Sequence, residues 1–279
     1  MIYLLFIFII CIFLLLYTIL PAINRLFIFH PYKATREEYN NLSVKGNKDN
    51  FIKIQIKTKD NITLYGGLVN SLRRPSWDDI IFLYSHGNGG WIGNLVDYNT
   101  IKSLSKYGSV FIYDYRGFGL SEGVPSEEGL YTDVTTAWNF LTTKKRIPSN
   151  RIIVFGHSLG TSVSSKLVAK IVTQNKNYPR GLILEAPFTT MKNVADRISP
   201  SLSFLLLYGF NNINNLEQIK NKVPVCVFHS KMDEVIPYDH SISLKNNTGC
   251  KMIDINGPHC SPIYDETIHD FIKSLVMQV

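Results

Sequence analysis

The chain alternates between short apolar runs and longer segments in which apolar residues recur with helical spacing. From Phe51, "FIKIQIKT" alternates apolar and polar positions, as a half-buried strand does. "ITLYGGLV" follows across the turn signal "KDN" and predicts the partner of that strand. A further strand is predicted at "KMIDI". Five other runs lack alternation, which is typical of strands buried on both faces: "IIFLYS", "SVFIYDY", "RIIVFG", "GLILEA" and "VPVCVFHS".

Segments with helical periodicity separate these strands. Apolar residues three or four positions apart predict amphipathic helices. Strand and helix then alternate, which predicts an α/β fold with a mostly parallel, eight-stranded sheet and helices on both faces. The three clearest predicted helices run through Leu95–Leu104, Val134–Leu141 and Val163–Ile171.

The N-terminus carries an uncharged apolar run from Ile2 to Leu20. A run of 18 or more apolar residues is long enough to cross a bilayer as a helix. A cleaved signal peptide is the competing interpretation, but neither a basic n-region nor a small-residue cleavage site is present. We therefore predict a transmembrane anchor at 1–22, ended by Pro21, with "RLFIFH" at the membrane interface.

Residues 23–50 are expected to form a polar, irregular juxtamembrane linker. Arg25, Lys33 and Arg36 follow the apolar run, and no Lys or Arg precedes it. The positive-inside rule therefore predicts a single-pass membrane protein with its main domain in the cytosol. Glycosylation acceptors would favour the opposite orientation; they are "NLS" at Asn41, "NIT" at Asn61 and "NNT" at Asn246.

Residues 51–279 have the composition of one large globular domain. The whole chain has 279 residues, of which 45% are hydrophobic, so its core is large enough to be stable without disulfides or a structural metal. Its four cysteines follow no metal or disulfide spacing. The net charge is +7, but no nucleic-acid-binding motif accompanies it, and we predict no nucleic-acid partner.

Within this domain, residues 186–222 interrupt the alternation of strand and helix. The segment includes "SPSLSFLLLYGFNNINN", which is apolar in the middle and rich in asparagine afterwards. It is longer than a simple crossover requires. It predicts either a lid with an apolar surface for substrate or an ordinary helix packed on the sheet.

The pattern G-x-S-x-G occurs twice, around Ser158 in "GHSLG" and around Ser121 in "GLSEG". A nucleophile elbow needs a strand directly before the serine and a helix directly after it. Flanking glycines avoid Cβ clashes in that turn. "RIIVF" and "TSVSSKLVAKIV" provide this context for Ser158. Ser121 lies in a glycine-rich loop, and the next helix starts near Ser126, so Ser121 is predicted to be structural.

A nucleophilic serine needs a histidine base and an acid that orients it. In this type of site the chain order is serine, acid, histidine, and the loops follow strand ends. Asp233 follows the strand "VPVCVFHS", and His259 follows "KMIDI". Glu185 and Glu234 remain alternatives for the acid.

Acyl transfer also needs donors for a developing oxyanion. One is the N–H of Leu159, which follows the nucleophile at a helix N-terminus, where the dipole favours negative charge. The other is expected from the loop "SHGNGGWIGN", where Asn88 would present its N–H. His86 in that loop is expected to be structural. This chemistry needs no metal or organic cofactor.

Taken together, these motifs resemble the membrane-anchored α/β-hydrolase-domain serine hydrolases. The matching pieces are "HGNGG", "YDYRGFGLSEGVPSEEGLYTD", "GHSLGT", "LEAPF", "DEVIP" and "GPH". The resemblance implies an α/β-hydrolase fold, a triad of Ser158, Asp233 and His259, and an oxyanion hole at Asn88 and Leu159. It implies esterase, lipase or thioesterase activity on membrane lipids or acylated substrates. The alternatives are an esterase or peptidase that acts on soluble small substrates, and a non-catalytic binding protein with this fold. Trp91 departs from the family, in which a small or polar residue is common at this position.

Overall fold

The computed structural model describes residues 3, 6, 19–42, 50–72, 80–96, 99–175, 177–201 and 203–277. The anchor predicted at 1–22 lies mostly outside these ranges. Among the helices that are described, none is both long and apolar enough to cross a membrane.

Eight strands form the central sheet, as the apolar runs predict. The strands are β1 His30–Pro31, β2 Phe51–Lys57, β3 Thr63–Val69, β4 Ile81–Ser85, β5 Gly89–Gly90, β6 Ser109–Tyr113, β7 Ile152–His157, β8 Gly181–Glu185, β9 Val225–Ser230 and β10 Lys251–Ile255. The spatial order of the central sheet is β10-β9-β8-β7-β4-β6-β3-β2. The sheet is mixed, because β3 pairs antiparallel with both β2 and β6 while the other neighbours are parallel.

Helices cover both faces of this sheet, and alternate residues of each strand point into two separate cores. Leu83 and Val154 belong to one apolar cluster, whereas Phe82 and Phe155 belong to the other. After a helical segment at 19–28, the α-helices are α1 Arg36–Asn40, α2 Ile92–Leu95, α3 Asn99–Ser105, α4 Glu127–Asn139, α5 Leu159–Thr173, α6 Met191–Ile198, α7 Asn212–Ile219, α8 Asp239–Thr248 and α9 Glu266–Met277. A π-helical turn lies at Phe140–Lys144, and 3-10 turns lie at Ser149–Arg151 and Ser203–Leu205.

Residues 19–28 are helical, so the expectation that Pro21 ends a helix is wrong. A proline removes one N–H donor from a helix, but here the helix continues past it to Ile28. The described part of the predicted linker at 23–50 is not irregular either. β1 pairs with β5, and Tyr39 of α1 is 4% exposed. This segment packs on the domain through contacts that a local pattern does not reveal.

The helix predicted through Leu95–Leu104 is also different in the structure. Its residues fall in two helices, α2 and α3, and residues 97–98 between them are outside the described ranges. Both helices bury apolar residues in the same core cluster, including Ile92 and Ile101. Helical spacing of apolar residues therefore identified the buried positions but not the break.

The structure divides the segment 186–222 into two unlike parts. α7 packs on α5, where Asn212 Oδ1 accepts a hydrogen bond of 2.7 Å from Ser165 Oγ. α7 is thus an ordinary packed helix. α6, by contrast, has no buried residue. We use the term cap for residues 191–207.

The glycine-rich stretch after β6 is held by a buried ion-pair network around Arg116. Its Nε and Nη2 donate to Asp133 Oδ1 at 3.0 and 2.8 Å, and Nη1 donates to Asp60 Oδ2 at 2.8 Å. The Asp133 side chain is fully buried. Burial raises the pKa of Asp133 to about 6, although Arg116 acts to lower it. The stretch that carries the family resemblance thus has a structural role.

Replacing Arg116 by methionine should therefore lower the free energy of unfolding by about 3–5 kcal/mol, because Asp133 would be left buried without its partner. Urea denaturation measures this change. Asp60→Asn is the matched control, since the Asp60 side chain is 44% exposed and should cost only about 0–1 kcal/mol. Equal losses of unfolding free energy in the two variants would contradict the structural role of the buried pair of Arg116 and Asp133.

Candidate active site

Ser158 stands alone between a strand and a helix. β7 ends at His157 and α5 begins at Leu159. The backbone of Ser158 has φ 52° and ψ −118°, and its side chain does not cap α5. A non-glycine residue in this region carries strain of order 1–3 kcal/mol. Ser158 is held there by a hydrogen bond of 2.9 Å from its N–H to the Glu185 carbonyl. This is the sharp strand-to-helix turn expected of an elbow.

The two glycines that flank Ser158 are required by close packing. A Cβ on Gly156 would lie 2.3 Å from the Gly160 carbonyl oxygen. A Cβ on Gly160 would lie 2.0 Å from the Ser85 carbonyl oxygen at the end of β4. The first turn of α5 thus sits directly against the sheet, and only glycine fits at either position.

Gly160→Ala should lower the free energy of unfolding by about 3 kcal/mol, which is the upper end of the usual cost of overpacking. The cost is high because the added Cβ would meet the Ser85 carbonyl, a backbone group that cannot rotate away. The measurement is again urea unfolding. Gly209→Ala is the control, since the nearest atoms to its Cβ would be Glu127 carboxylate oxygens at 3.7 and 3.9 Å. If the two variants unfolded at the same urea concentration, the close packing would not be a constraint on the elbow.

The structure brings Asp233 and His259 together. Asp233 Oδ2 lies 2.7 Å from His259 Nδ1, and the two side chains are 1% and 6% exposed. The loops that carry them follow β9 and β10, as the sequence predicts. The other carboxylate oxygen of Asp233 accepts from the N–H groups of Val235 and Ile236 at 2.9 and 2.8 Å. Both oxygens of Asp233 are therefore fixed.

Asp233 is electrostatically suited to stay ionised. Burial acts to raise its pKa, but hydrogen bonds from His229 and His259 outweigh burial and hold the pKa below the usual range. His229 Nε2 lies 3.3 Å from Asp233 Oδ2. A carboxylate in this state can accept the Nδ1–H of a histidine and leave Nε2 free to receive a proton.

The two glutamates considered as alternative acids have other partners. Glu234 Oε2 accepts a hydrogen bond of 3.0 Å from the His259 backbone N–H, so it fixes the loop rather than the ring. Glu185 is 1% exposed, and its Oε1 lies 3.0 Å from His157 Nδ1. It also accepts a hydrogen bond from the Tyr264 hydroxyl. Among the three carboxylates, Asp233 is the one whose side chain bonds the His259 ring.

The pair of Glu185 and His157 is a part of the site that the sequence did not predict. The ring of His157 lies 4.9 Å from that of His259, centroid to centroid. The pair therefore lies directly beside the proposed base. A signal was present, because Glu185 ends a strand at the same edge of the sheet, but no sequence pattern indicates that it faces His157.

The loop after β4 passes over the elbow. A Cβ on Gly87 would lie 3.3 Å from Ser158 Cβ and 3.1 Å from His157 Cδ2. Asn88 follows directly, and Leu159 is the first residue of α5. The first N–H groups of a helix have no intrahelical acceptor. The two proposed oxyanion donors thus belong to backbone segments that border Ser158.

β1 holds this loop in place, which the sequence also did not predict. His30–Pro31 pairs with Gly89–Gly90. The His30 N–H donates to Asn88 Oδ1 at 3.3 Å. Tyr32 stacks on Trp91, the residue that departs from the family, with ring centroids 6.1 Å apart.

His86 and Ser121 have the structural roles expected of them. His86 is fully buried, lies 4.2 Å from the Tyr115 ring, and has its pKa lowered to about 4 by burial. Ser121 Oγ accepts from the Tyr65 N–H and donates to the Asp114 carbonyl, both at 2.9 Å. In the part of the chain that is described, no three His, Cys, Asp or Glu side chains are grouped so that they could hold a metal ion.

Comparisons with known proteins agree with this fold and geometry. A family model described as serine aminopeptidase, S33, matches residues 79–213. The uncharacterized protein R595 of Acanthamoeba polyphaga mimivirus is 32% identical over 86% of each chain. Lysophosphatidylserine lipase ABHD12 of Danio rerio is 33% identical over 57% of this chain, which corresponds to 44% of that protein. A solved α/β hydrolase from Vibrio vulnificus, 20% identical, has a TM-score of 0.67 and covers 86% of this chain and 82% of that one.

The order of strands and the turn at Ser158 define an α/β hydrolase. The chain belongs to the α/β-hydrolase-domain family.

Proposed function

We propose that this chain is a membrane-anchored serine hydrolase that cleaves acyl esters or thioesters in lipids or S-acylated proteins. The observation that carries the catalytic part is the 2.7 Å contact between Asp233 and His259 beside the strained turn at Ser158. The likeness to a lysophosphatidylserine lipase supports an acyl lipid as substrate. The apolar run at 2–20 supports the anchor, and the cations after it support a cytosolic domain.

In the proposed mechanism, the Ser158 hydroxyl attacks the acyl carbonyl while His259 Nε2 accepts its proton. Asp233 accepts the Nδ1–H of His259, which fixes the tautomer and stabilises the imidazolium. The N–H groups of Asn88 and Leu159 bind the oxyanion of the tetrahedral intermediate. His259 then protonates the leaving alcohol or thiol. Water hydrolyses the acyl-enzyme, with His259 again as base.

A soluble ester or peptide is the second candidate substrate, because the matching family model is described as a serine aminopeptidase. A fluorophosphonate probe should label the full chain under either candidate. A series of esters with acyl chains of increasing length separates them. We expect kcat/KM to rise with chain length. A preference for acetyl esters or for an aminoacyl amide would favour the second candidate, and an unlabelled protein would contradict both.

A further inference from the structure

The helical segment 19–28 exposes apolar side chains on one face. Ile23 is 41% exposed, Leu26 is 73% exposed and Phe27 is 77% exposed. Together with Ile19, which is 44% exposed, they lie three or four positions apart and therefore on one side of the helix. Another side of the same helix, with Asn24 and Ile28, faces the protein.

The cap exposes a second set of apolar side chains. Ile198 is 81% exposed, Phe204 is 74% exposed and Leu207 is 53% exposed. Leu205, at 38%, lies between the last two. α6 packs Met191 and Val194 against the core, as a surface helix normally does with its apolar side. Ile198, its last residue, stays exposed.

Asn24 joins the helical segment 19–28 to the cap by hydrogen bonds. Its Nδ2 donates to the Leu205 carbonyl at 3.1 Å, and its Oδ1 accepts from the Leu207 N–H at 2.8 Å. Just beyond, the Phe29 ring packs edge-on against Tyr208 with a centroid distance of 5.3 Å. The two segments that carry these exposed side chains are thus held against each other. We name the two sets together the apolar face; it comprises Ile19, Ile23, Leu26, Phe27, Ile198, Phe204, Leu205 and Leu207.

We propose that the apolar face rests in the boundary between headgroups and acyl chains of a lipid bilayer. The uncharged run from Ile2 to Leu20 leads directly into the helical segment that carries half of the face. If a bilayer holds this run, it also lies next to the face, because the run and the helical segment are consecutive in the chain. Membranes take up large exposed apolar side chains of this kind at their interface. The inference rests on the proposed anchor and extends it to the cap.

The position of the face connects the bilayer to the proposed nucleophile. The cap leaves the sheet after β8, whose last carbonyl accepts the Ser158 N–H. On the other side, residues 19–28 lead through Phe29 into β1, which pairs with the loop after β4 that carries Asn88. Both halves of the face are therefore connected along the chain to segments near Ser158. Docking of the face places this edge of the sheet at the bilayer surface, where acyl substrates reside.

The direct test uses the full chain in phosphatidylcholine vesicles with brominated acyl chains, which quench tryptophan on contact. Phe204→Trp adds one tryptophan, so its fluorescence should exceed that of wild type in ordinary vesicles. In brominated vesicles this difference between variant and wild type should disappear. Leu72→Trp is the control, because Leu72 is 67% exposed and lies outside the face; its added fluorescence should be kept in both. Equal behaviour of the two variants would overturn the proposal. A Phe204→Trp emission shift that depends on protein concentration but not on bromine would assign the face to a second copy of this chain instead.

A kinetic test separates docking from catalysis. Phe204→Ser should lower kcat/KM about tenfold or more on a long-chain ester in vesicles, the equilibrium factor for burying one large apolar side chain. Its kcat/KM on a soluble acetyl ester should stay unchanged. An equal loss on both substrates would overturn the docking role. A wild-type protein that is quenched as expected but hydrolyses neither substrate would instead contradict the proposed function and leave the docking surface supported.

Discussion

Replacing Ser158 by alanine should lower kcat for ester hydrolysis by about 10⁶-fold, the loss seen when the nucleophile of a serine hydrolase is removed. The Asn88 and Leu159 donors would remain, so a residual acceleration of about 10³-fold over water is expected. Labelling by a fluorophosphonate probe should disappear. Ser158 makes no cap contact with its helix, and its replacement should leave the urea midpoint close to that of wild type.

The second G-x-S-x-G serine is the matched control for this variant. Ser121→Ala should still be labelled by the probe. It should lose about 1–3 kcal/mol of stability, because the Tyr65 N–H would be left buried without an acceptor. A Ser158→Ala protein that is labelled as strongly as wild type would contradict the proposed nucleophile, and loss of labelling in Ser121→Ala with unchanged stability would do so as well.

Asp233→Asn should lower kcat by about 10⁴-fold. The amide oxygen would take the Val235 and Ile236 N–H groups, so its NH₂ would face His259 Nδ1 and favour the wrong tautomer. Probe labelling should become correspondingly slow. KM should change little, since Asp233 contacts the base and not the substrate in the proposed mechanism. Rates of ester hydrolysis and of labelling, measured on the same preparation, check this prediction.

Variants of the other two carboxylates provide the comparison. Glu234→Gln should retain most activity, because an amide oxygen can still accept from the His259 N–H. Glu185→Gln disturbs a buried contact with His157, so its loss should include stability as well as rate. Near-full activity of Asp233→Asn, with a large loss in either glutamate variant, would transfer the role of the acid to that glutamate.

The sheet could be predicted because each of its strands carries its own signal. Apolar runs predict all eight strands of the central sheet, and α4 starts where expected, directly after Ser126, whose Oγ accepts from the Gly129 N–H at 3.1 Å. Both are local features of the sequence. The antiparallel pair of β2 and β3 was predictable for the same reason, since a turn signal joins two adjacent alternating runs.

The elements that the sequence did not reveal depend on distant partners. His30–Pro31 and Gly89–Gly90 have no preference for strands, and each is extended because the other lies beside it. Cations and polar residues between 23 and 50 suggested a linker, whereas the buried side chains of Phe29 and Tyr39 hold the described part of it on the domain. Such contacts join residues far apart in the chain and leave no periodic pattern.

The proposed site was partly predictable for a similar reason. Chain order and the positions of strand ends predict Asp233 and His259 as partners, and in the structure their side chains are in contact. The same reasoning left Glu185 as an alternative acid, because it too ends a strand. Only the three-dimensional arrangement shows that its carboxylate faces His157 instead.

The pairing of β1 with the loop after β4, which carries the proposed oxyanion donor Asn88, has a practical consequence for producing the chain without its apolar N-terminal run. Shortening the gene to begin at Phe51, where the first strand of the central sheet starts, would delete the backbone that bonds Asn88 and the ring that stacks on Trp91. The truncated protein should fold and bind ligand, but its kcat should be low. A truncation that retains activity should begin before Phe29.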